Sequence, residues 1–144
     1  MDGGLILETT FLIDLERELQ RGESGAAQAF LAEHPEEPLY IASTTAGELA
    51  AGMPVDGRAR WEAFIAPFEV LACDRAVCWE YGQAFRYLKT NGLLIGTNDL
   101  WIAAAAVAFG KPLVTRNEQE FRRVPGLRVI GYGRPRGTPS AGGG

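Results

Sequence analysis

The sequence predicts an α/β fold, a three-layer sandwich in which helices flank a central, mainly parallel sheet of five strands. Short apolar runs alternate along the chain with longer segments whose apolar residues recur at helical spacing. This alternation is typical of a parallel sheet with helices packed against it. The 144 residues, 47% of them hydrophobic, suit one domain with a sizeable core.

Five short apolar runs are predicted to be strands. The first, Leu5-Ile6-Leu7, stops abruptly at the acid Glu8. The run at 68–72 lies just beyond Pro67, where a helix should have ended. The predicted strands are residues 5–7, 39–42, 68–72, 112–115 and 127–130.

Six longer segments are predicted to be helices. The first places Phe11, Leu12 and Leu15 at helical spacing and ends at Gly22. The last is apolar on all sides and closes at Gly110, and a helix of that kind is a buried one. The predicted helices are residues 10–20, 25–33, 45–53, 58–66, 75–90 and 98–109.

Composition and charge limit the classes of function. The formal net charge of −4 argues against a protein that holds nucleic acid by bulk positive charge, but not against a nuclease whose metal supplies that charge locally. No apolar run approaches the roughly 18 to 20 residues that cross a bilayer, and the N-terminus lacks a signal-peptide pattern. We therefore expect a cytoplasmic protein without a membrane partner.

Cysteine and histidine are too scarce for a zinc site. Cys73 and Cys78 form no CxxC pattern, and we expect both to be buried, reduced thiols. His34 is the single histidine. Any metal site must therefore use oxygen ligands, which favours Mg²⁺ or Mn²⁺.

Acidic residues follow several predicted strands. Glu8 comes directly after the first strand, Glu48 follows the second, and Asp99 opens the buried helix. The segment after the fourth strand offers three polar residues: Asn117, Glu118 and Glu120. Ligand sites of parallel sheets lie beyond the carboxyl ends of the strands, so these side chains are predicted to converge there.

Each acid also has a purely structural interpretation. Thr45 and Glu48 fit a helix capping box, and Asp99 fits a first-turn acid that favours the helix dipole. Glu118 and Glu120 fit solvated surface positions. The joint placement argues for a site, because clustered carboxylates repel one another unless protons or a cation neutralise them. A cation held there could activate water for phosphodiester hydrolysis.

Other catalytic patterns are missing from the sequence. It contains no GxSxG element and no nucleotide-binding GxGxxG or GxxxxGK[ST] loop. A receiver-type acidic pocket would need a lysine after the last strand, and "LRVIGYGRPRG" has none.

Four pieces of the sequence together resemble the PIN-domain toxin ribonucleases of VapBC toxin–antitoxin systems. They are "LILETTFLIDL", "STTAGELAAG", "IGTNDLWIAAAAVAFGKPLVTRNEQEF" and "RVPGLRVIGY", in the family's order and spacing. The resemblance covers residues 4–133. It implies a PIN-like domain over residues 1–133, and the Gly- and Pro-rich residues 134–144 are predicted to be a disordered tail.

The resemblance also implies a function and partners. It implies a Mg²⁺- or Mn²⁺-dependent endoribonuclease that is the toxin of a type II system and cuts structured RNA such as a tRNA or rRNA loop. Family toxins usually form homodimers and toxin–antitoxin hetero-oligomers, so a cognate VapB-like antitoxin is expected. That partner would place a peptide segment in a groove of the toxin, here past the aromatic residues Trp61, Phe64 and Phe68, which otherwise belong to the core.

Site residues carry over by position. Glu8, Glu48, Asp99 and Glu120 match the family's acids and would be both the catalytic and the metal-binding residues. Thr9, Thr10 and Thr115 would orient these carboxylates by hydrogen bonds. Arg116 would contact phosphate or form a surface salt bridge, with Asn117 as a polar neighbour.

One departure from the family pattern supports an alternative function. The first family acid is typically Asp, and Glu8 is longer by one methylene, roughly 1.5 Å. A misplacement of about 1 Å can cost on the order of 100-fold in rate. The alternative is therefore a catalytically weak PIN-like protein that binds RNA or its antitoxin.

Overall fold

A computed structural model describes residues 3–133, and these form a single five-stranded sheet flanked by helices. The strand order is β3-β2-β1-β4-β5, and every neighbouring pair is parallel. The strands are β1 (Leu5–Leu7), β2 (Leu39–Ala42), β3 (Glu69–Leu71), β4 (Leu113–Thr115) and β5 (Val129–Gly131). The predicted α/β class and five-stranded sheet are confirmed, and the described sheet is wholly parallel.

Seven helices connect the strands within residues 3–133. They are α1 (Thr9–Arg21), α2 (Ala26–Ala32), α3 (Ser43–Ala51), α4 (Arg58–Ile65), α5 (Arg75–Thr90), α6 (Thr97–Phe109) and α7 (Glu118–Phe121). Six of these correspond to predicted helices. The seventh, α7, was not predicted, because a four-residue turn is too short to show a helical period.

Alternating side chains of the strands bury two cores, one on each face of the sheet. Leu5 and Leu7 of β1 pack with Phe11 of α1 and Leu49 of α3, whereas Ile6 packs on the opposite side with α5 and α6. The faces alternate because successive side chains of a strand point in opposite directions. The result is a three-layer sandwich with helices α1–α4 on one side and α5–α6 on the other.

Helix α6 supplies more of the second core than any other element does. Leu100, Ile102 and the alanines 103–106 are all buried, and the helix ends at Gly110 in the left-handed conformation (φ 67°). Small alanine side chains bring the α6 backbone close to its neighbours. This close packing fixes the position of the first turn of α6, where Asp99 lies.

Three local expectations were wrong. Thr45 and Glu48 form no capping box, because α3 begins at Ser43 and both side chains lie within the helix. Cys73 and Cys78 are exposed, not buried, since they flank the outer first turn of α5. The edge strand β3 starts at Glu69, so Phe68 is a buried core residue just before it.

Two further predictions concern the C-terminal tail and membrane-spanning segments. The predicted disordered tail, residues 134–144, lies outside the described residues. In the part of the chain that is described, no helix is long and apolar enough to span a membrane.

Glu18, a residue of α1, caps the N-terminus of the next helix, α2. Its carboxylate accepts hydrogen bonds from the backbone N–H groups of Gly25, Ala27 and Gln28, each at 3.0 Å. Gly25, the N-cap residue of α2, has no side chain to do this, and a Cβ there would lie 2.5 Å from Glu18 Oε2. Burial alone would raise the pKa of Glu18, but these hydrogen bonds hold that pKa below its ordinary value.

We expect Glu18→Ala to lower the free energy of unfolding by about 1 to 2 kcal/mol, because α2 loses its only side-chain cap. Because the folded pKa is lowered, the stabilisation is present at neutral pH and is lost as pH falls through the folded pKa. Denaturant unfolding at pH 7 and at acid pH measures both effects. Glu16→Ala is the control, since Glu16 makes only a surface ion pair with Arg60, and it should cost about 0.5 kcal/mol or less. Equal losses in the two variants would contradict the capping role.

Candidate functional site

The predicted acids come from four separate segments that meet at the carboxyl edge of the sheet. Glu8 immediately follows β1, the central strand, and Glu48 lies on α3, which follows β2. Asp99 lies in the first turn of α6, and Glu120 lies on α7, which follows β4. Glu8, Glu120 and Glu48 each lie near enough to Asp99 for their charges to raise its pKa, and we refer to these four side chains as the acidic group.

Glu8 is buried and fully engaged in hydrogen bonds. Its side chain is 2% exposed. Oε1 accepts from the hydroxyls of Thr10 (2.6 Å) and Thr115 (2.5 Å), and Oε2 accepts from the backbone N–H of Thr10 (3.2 Å). Glu8 is thereby the N-cap of α1 as well as a member of the acidic group. The Glu8 carboxylate therefore links α1 to β4.

Glu48 is held by two polar neighbours. The Thr9 hydroxyl donates to Glu48 Oε1 at 2.6 Å, and Asn98 Nδ2 donates to Oε2 at 3.0 Å. Thr9 also lies 3.0 Å, oxygen to oxygen, from the buried hydroxyl of Thr45. Glu48 is thus oriented by residues of α1 and α6, the two helices that carry or adjoin the other acids.

Asp99 is the most electrostatically perturbed acid of the group. Burial raises its pKa first, and the nearby charges of Glu8, Glu120 and Glu48 raise it further, to about 6. A side-chain hydrogen bond with Glu120 contributes to the same shift. Two carboxyl groups can share a hydrogen bond only if one of them is protonated. At mildly acidic pH, Asp99 therefore retains a proton that an ordinary aspartate would already have lost.

The segment after β4 separates its three candidate residues. Glu120 interacts with Asp99. Glu118 turns away, pairs with Arg122 at 2.9 Å and lies over Gly131. Asn117 donates its backbone N–H to the Thr115 hydroxyl at 2.9 Å. Of these three residues, only Glu120 joins the acidic group through its side chain.

Arg116 forms an ion pair, and does not point freely toward solvent. Its Nη1 lies 3.0 Å from both carboxylate oxygens of Asp14, and the Tyr132 hydroxyl donates to the same carboxylate at 2.6 Å. Burial and the hydrogen bond with Asp14 raise the pKa of Tyr132. The Arg116 backbone N–H also lies 3.5 Å from Thr10 Oγ1. The Arg116 salt bridge therefore fixes the turn that presents Thr115 to Glu8.

Several site neighbours were not identified from sequence. Asn98 adjoins Asp99, and its position in the first turn of a helix gave a usable signal. Asp14 stands one helical turn beyond Thr10 and so shares its face of α1. Thr45 and Tyr132 gave no such signal, because their contacts with Thr9 and Asp14 depend entirely on how separate elements pack.

The donor set fits a hard divalent cation by its chemistry. Within residues 3–133, no group of three or more His, Cys, Asp or Glu side chains is already arranged to hold a metal ion. Glu8 and Glu48 instead accept hydrogen bonds, and Asp99 bonds to Glu120. All four acids nonetheless offer the oxygen ligands that Mg²⁺ and Mn²⁺ prefer, and a cation would relieve the repulsion that raises the pKa of Asp99.

Comparison with known proteins decides the family. The family model described as the PIN domain matches residues 5–127. The chain belongs to the PIN domain family. This PIN domain is 34% identical over 101 residues to ribonuclease VapC1 of Haemophilus influenzae strain R2866, covering 65% of the chain and 74% of that protein. It is 38% identical over 96 residues to the tRNA(fMet)-specific endonuclease VapC of Shigella flexneri, covering 63% and 73% respectively.

A solved structure supports the same assignment. This PIN domain resembles a chain in the crystal structure of VapBC2 from Rickettsia felis bound to a DNA fragment from their promoter. The TM-score is 0.76 at 25% identity, and the match covers 89% of this chain and 98% of that one. The predicted PIN-like fold and the resemblance to VapC proteins are confirmed.

Proposed function

We propose that this PIN domain is a metal-dependent endoribonuclease and the toxin of a type II toxin–antitoxin system. The observation that carries the proposal is that the charges of Glu8, Glu48 and Glu120 act on Asp99 and raise its pKa. The ribonuclease and endonuclease names of its VapC relatives support the same activity. A cation held by such a group can hydrolyse a phosphodiester bond without a nucleophilic side chain.

The four acids would hold Mg²⁺ or Mn²⁺. They differ in how their carboxylates are hydrogen-bonded before the cation binds. When bound, the cation would polarise a phosphoryl oxygen and lower the pKa of a coordinated water. Thr10 and Thr115 fix Glu8, and Thr9 and Asn98 fix Glu48, so these two carboxylates are positioned in advance. Asp99 and Glu120 share a hydrogen bond. Loss of the proton in that bond would free the oxygens of both carboxylates to act as ligands.

The proposed substrate is a looped or single-stranded RNA, with tRNA or rRNA loops as the first candidates. One relative is named a tRNA(fMet)-specific endonuclease, which supports a tRNA target. Loops suit this site because their backbone and bases are accessible. The Arg116 guanidinium, half exposed beside the site, would be available to a phosphate if its pairing with Asp14 opened.

The proposed protein partner is a VapB-like antitoxin, with the toxin as a homodimer in a cytoplasmic complex. The similar fold in a VapBC2 structure supports such a partner. Helix α4 offers a suitable groove: a cavity of about 430 Å³ lies against Trp61, Ile65 and Phe68. The Trp61 indole is fixed there by donating to the Ala46 carbonyl oxygen at 3.0 Å.

We expect RNA cleavage to require Mg²⁺ or Mn²⁺ and to stop when a chelator removes the cation. The same cation should raise the melting temperature, because it neutralises repulsion in the folded state only. At about ten times its dissociation constant it would add about 1.4 kcal/mol, or roughly 5 °C. Cleavage of labelled tRNA and thermal unfolding, each with Mg²⁺ and with chelator, measure the two effects. Cleavage that survives chelation would refute the proposed chemistry.

Glu8 favours a second candidate function, a PIN-like protein that binds RNA or antitoxin but cleaves weakly. Its carboxylate already accepts three hydrogen bonds, and the residue replaces the family's usual Asp. If this engagement attenuates the enzyme, the shorter Glu8→Asp side chain should raise the cleavage rate by on the order of 100-fold. On the leading proposal, wild type already cleaves robustly and Glu8→Asp brings no gain. Single-turnover cleavage rates of the two forms separate the two functions. Each form is measured at the same number of degrees below its own melting temperature.

A further inference from the structure

Cys73 and Cys78 flank the first turn of α5 in a defined geometry. Asp74 is the N-cap of this helix, and its carboxylate accepts from the Val77 N–H at 3.1 Å. The Cys78 N–H donates to the Asp74 carbonyl oxygen at 3.0 Å. The side chain and the backbone of Asp74 therefore both accept hydrogen bonds from this turn. Cys73 thus precedes the N-cap and Cys78 is the fourth helical residue. Apolar side chains at these two positions often pack against each other across the start of a helix.

The two thiols are near each other and open to solvent. They lie close enough to interact by a side-chain hydrogen bond, and both residues are exposed. Together with Arg75 and Trp79 they line a surface cavity of about 660 Å³, and Trp79 is 66% exposed. A small molecule of ordinary size can therefore reach both sulfur atoms.

The surroundings of Cys73 favour its protonated form. Burial raises the pKa of Cys73, and the neighbouring Cys78 thiol and Asp74 carboxylate raise it further. Cys73 therefore keeps its proton more firmly than an ordinary thiol does, which suits the sulfur that reacts second. A zinc site is not indicated, because the two cysteines are joined at this cavity by no histidine and no further cysteine among its lining residues. An ordinary apolar contact at these positions would need no sulfur and no exposure.

We propose that Cys73 and Cys78 form a redox-active dithiol that closes to an intramolecular disulfide by exchange with a small-molecule disulfide. The thiolate of Cys78 attacks one sulfur of that disulfide, and the other sulfur leaves as a free thiol. Cys73 then loses its proton, attacks Cys78 Sγ and displaces the second small thiol. Two protein thiols are oxidised and one small disulfide is reduced to two thiols, so atoms and electrons balance.

The dithiol occupies a significant place in the fold. It follows the carboxyl end of β3, at the same edge of the sheet as the acidic group. Strand β3 is two positions from β1, which corresponds to about 10 Å between strand axes. Closing the disulfide would tie the β3–α5 connection to α5, the helix packed on α6 and its Asp99. The proposal concerns the sulfur chemistry alone and does not depend on ribonuclease activity.

The test uses the reduced full chain in glutathione buffers of graded oxidised-to-reduced ratio, quenched with acid and alkylated. We expect wild type to lose two hydrogens in intact mass and to lose both alkylation sites together. Trypsin cleaves after Arg75, between the two cysteines, so the disulfide should leave two peptides joined until reduction. Cys73→Ser and Cys78→Ser should each instead accumulate one glutathione adduct, because neither can close the bond.

Three results would overturn the proposal. Wild type that carries two glutathione adducts, or a single lasting adduct, would show that the sulfurs do not meet. Disulfide-linked dimers in place of the internal bond would show that the reactive partner is another molecule. Wild type that stays fully reduced at every buffer ratio would mean that the pair is only a packing contact. Circular dichroism of the two serine variants checks that their fold is retained.

Discussion

Asp99→Asn is expected to lower the rate of RNA cleavage by at least about 100-fold, the scale of a lost or displaced group at a reacting centre. Asparagine preserves the shape of the side chain but removes the charge that a cation needs. Because Asp99 is the acid on which the other three charges act, it is the position where one substitution should do most harm. Steady-state cleavage of labelled tRNA with saturating Mg²⁺ measures the effect.

Asp56→Asn is the matched control for this substitution. Asp56 is exposed in the connection between α3 and α4, so the same chemical change there should leave the rate within about twofold. A rate for Asp99→Asn that equals the Asp56→Asn rate would remove Asp99 from the site. It would also leave the acidic group without a demonstrated catalytic member.

The same Asp99→Asn variant should be more stable than wild type when no divalent cation is present. The folded pKa of Asp99 is raised to about 6, so the folded state holds a proton that the unfolded state has released. Stability of wild type therefore falls as pH rises from about 4 to about 6, and the penalty persists above that range. For a half-buried group screened by solvent, we expect a gain of about 1 kcal/mol in the variant at pH 7.5.

Urea unfolding at pH 4.5 and 7.5, with chelator present, tests this inversion. The advantage of Asp99→Asn should be largest at the higher pH and should shrink when Mg²⁺ is added to wild type. A variant that is less stable than wild type at both pH values would mean that the carboxylates do not repel one another. Carboxylates that lower the stability of the folded state by repelling one another are expected at a functional site.

Glu8→Ala is expected to have the largest effect on stability, a loss of about 3 kcal/mol. The substitution removes the N-cap of α1 and leaves the hydroxyls of Thr10 and Thr115 without their acceptor in a buried site. Glu8→Gln should lose about 1 kcal/mol, because its carbonyl oxygen can still accept from both hydroxyls. Chemical denaturation at pH 7 measures both variants.

Glu62→Ala serves as the control for Glu8. Glu62 makes only an exposed ion pair with Arg58, at 2.7 Å, and its loss should cost about 0.5 kcal/mol or less. The predicted order of destabilisation is therefore Glu8→Ala, then Glu8→Gln, then Glu62→Ala. A Glu8→Ala variant as stable as Glu62→Ala would contradict the dual role of Glu8 as cap and site acid.

Much of the sheet edge was predictable because it follows from connectivity. Once β1, β2 and β4 are recognised as parallel neighbours, Glu8, Glu48 and the segment after β4 must lie at one end of them. The same logic singled out Asp99, since α6 starts at that end. Local signals were weaker guides: "STTAGE" matches a capping box in letters, but α3 starts earlier and uses these residues differently.

Side-chain pairings between distant elements were not predictable from a single sequence. Residue chemistry alone does not distinguish Glu118 from Glu120, and the choice of Glu120 rested on the family resemblance; the packing of α7 turns Glu118 toward Arg122 and Glu120 toward Asp99. The cysteines were misjudged for a related reason. A general tendency of free cysteine to be buried carries no information about which side of α5 faces solvent.

The hydrogen bond between Thr115 and Glu8 can form only late in the synthesis of the chain. These residues are 107 positions apart, so the ribosome must add the whole intervening segment before the first acid can meet its partner. At typical translation speeds this takes roughly 5 to 20 seconds. Until β4 has emerged and paired with β1, the nascent chain has its first carboxylate but no assembled acidic edge. If this edge cuts RNA, the ribosome that makes the protein is exposed to it only after most of the chain has been synthesised.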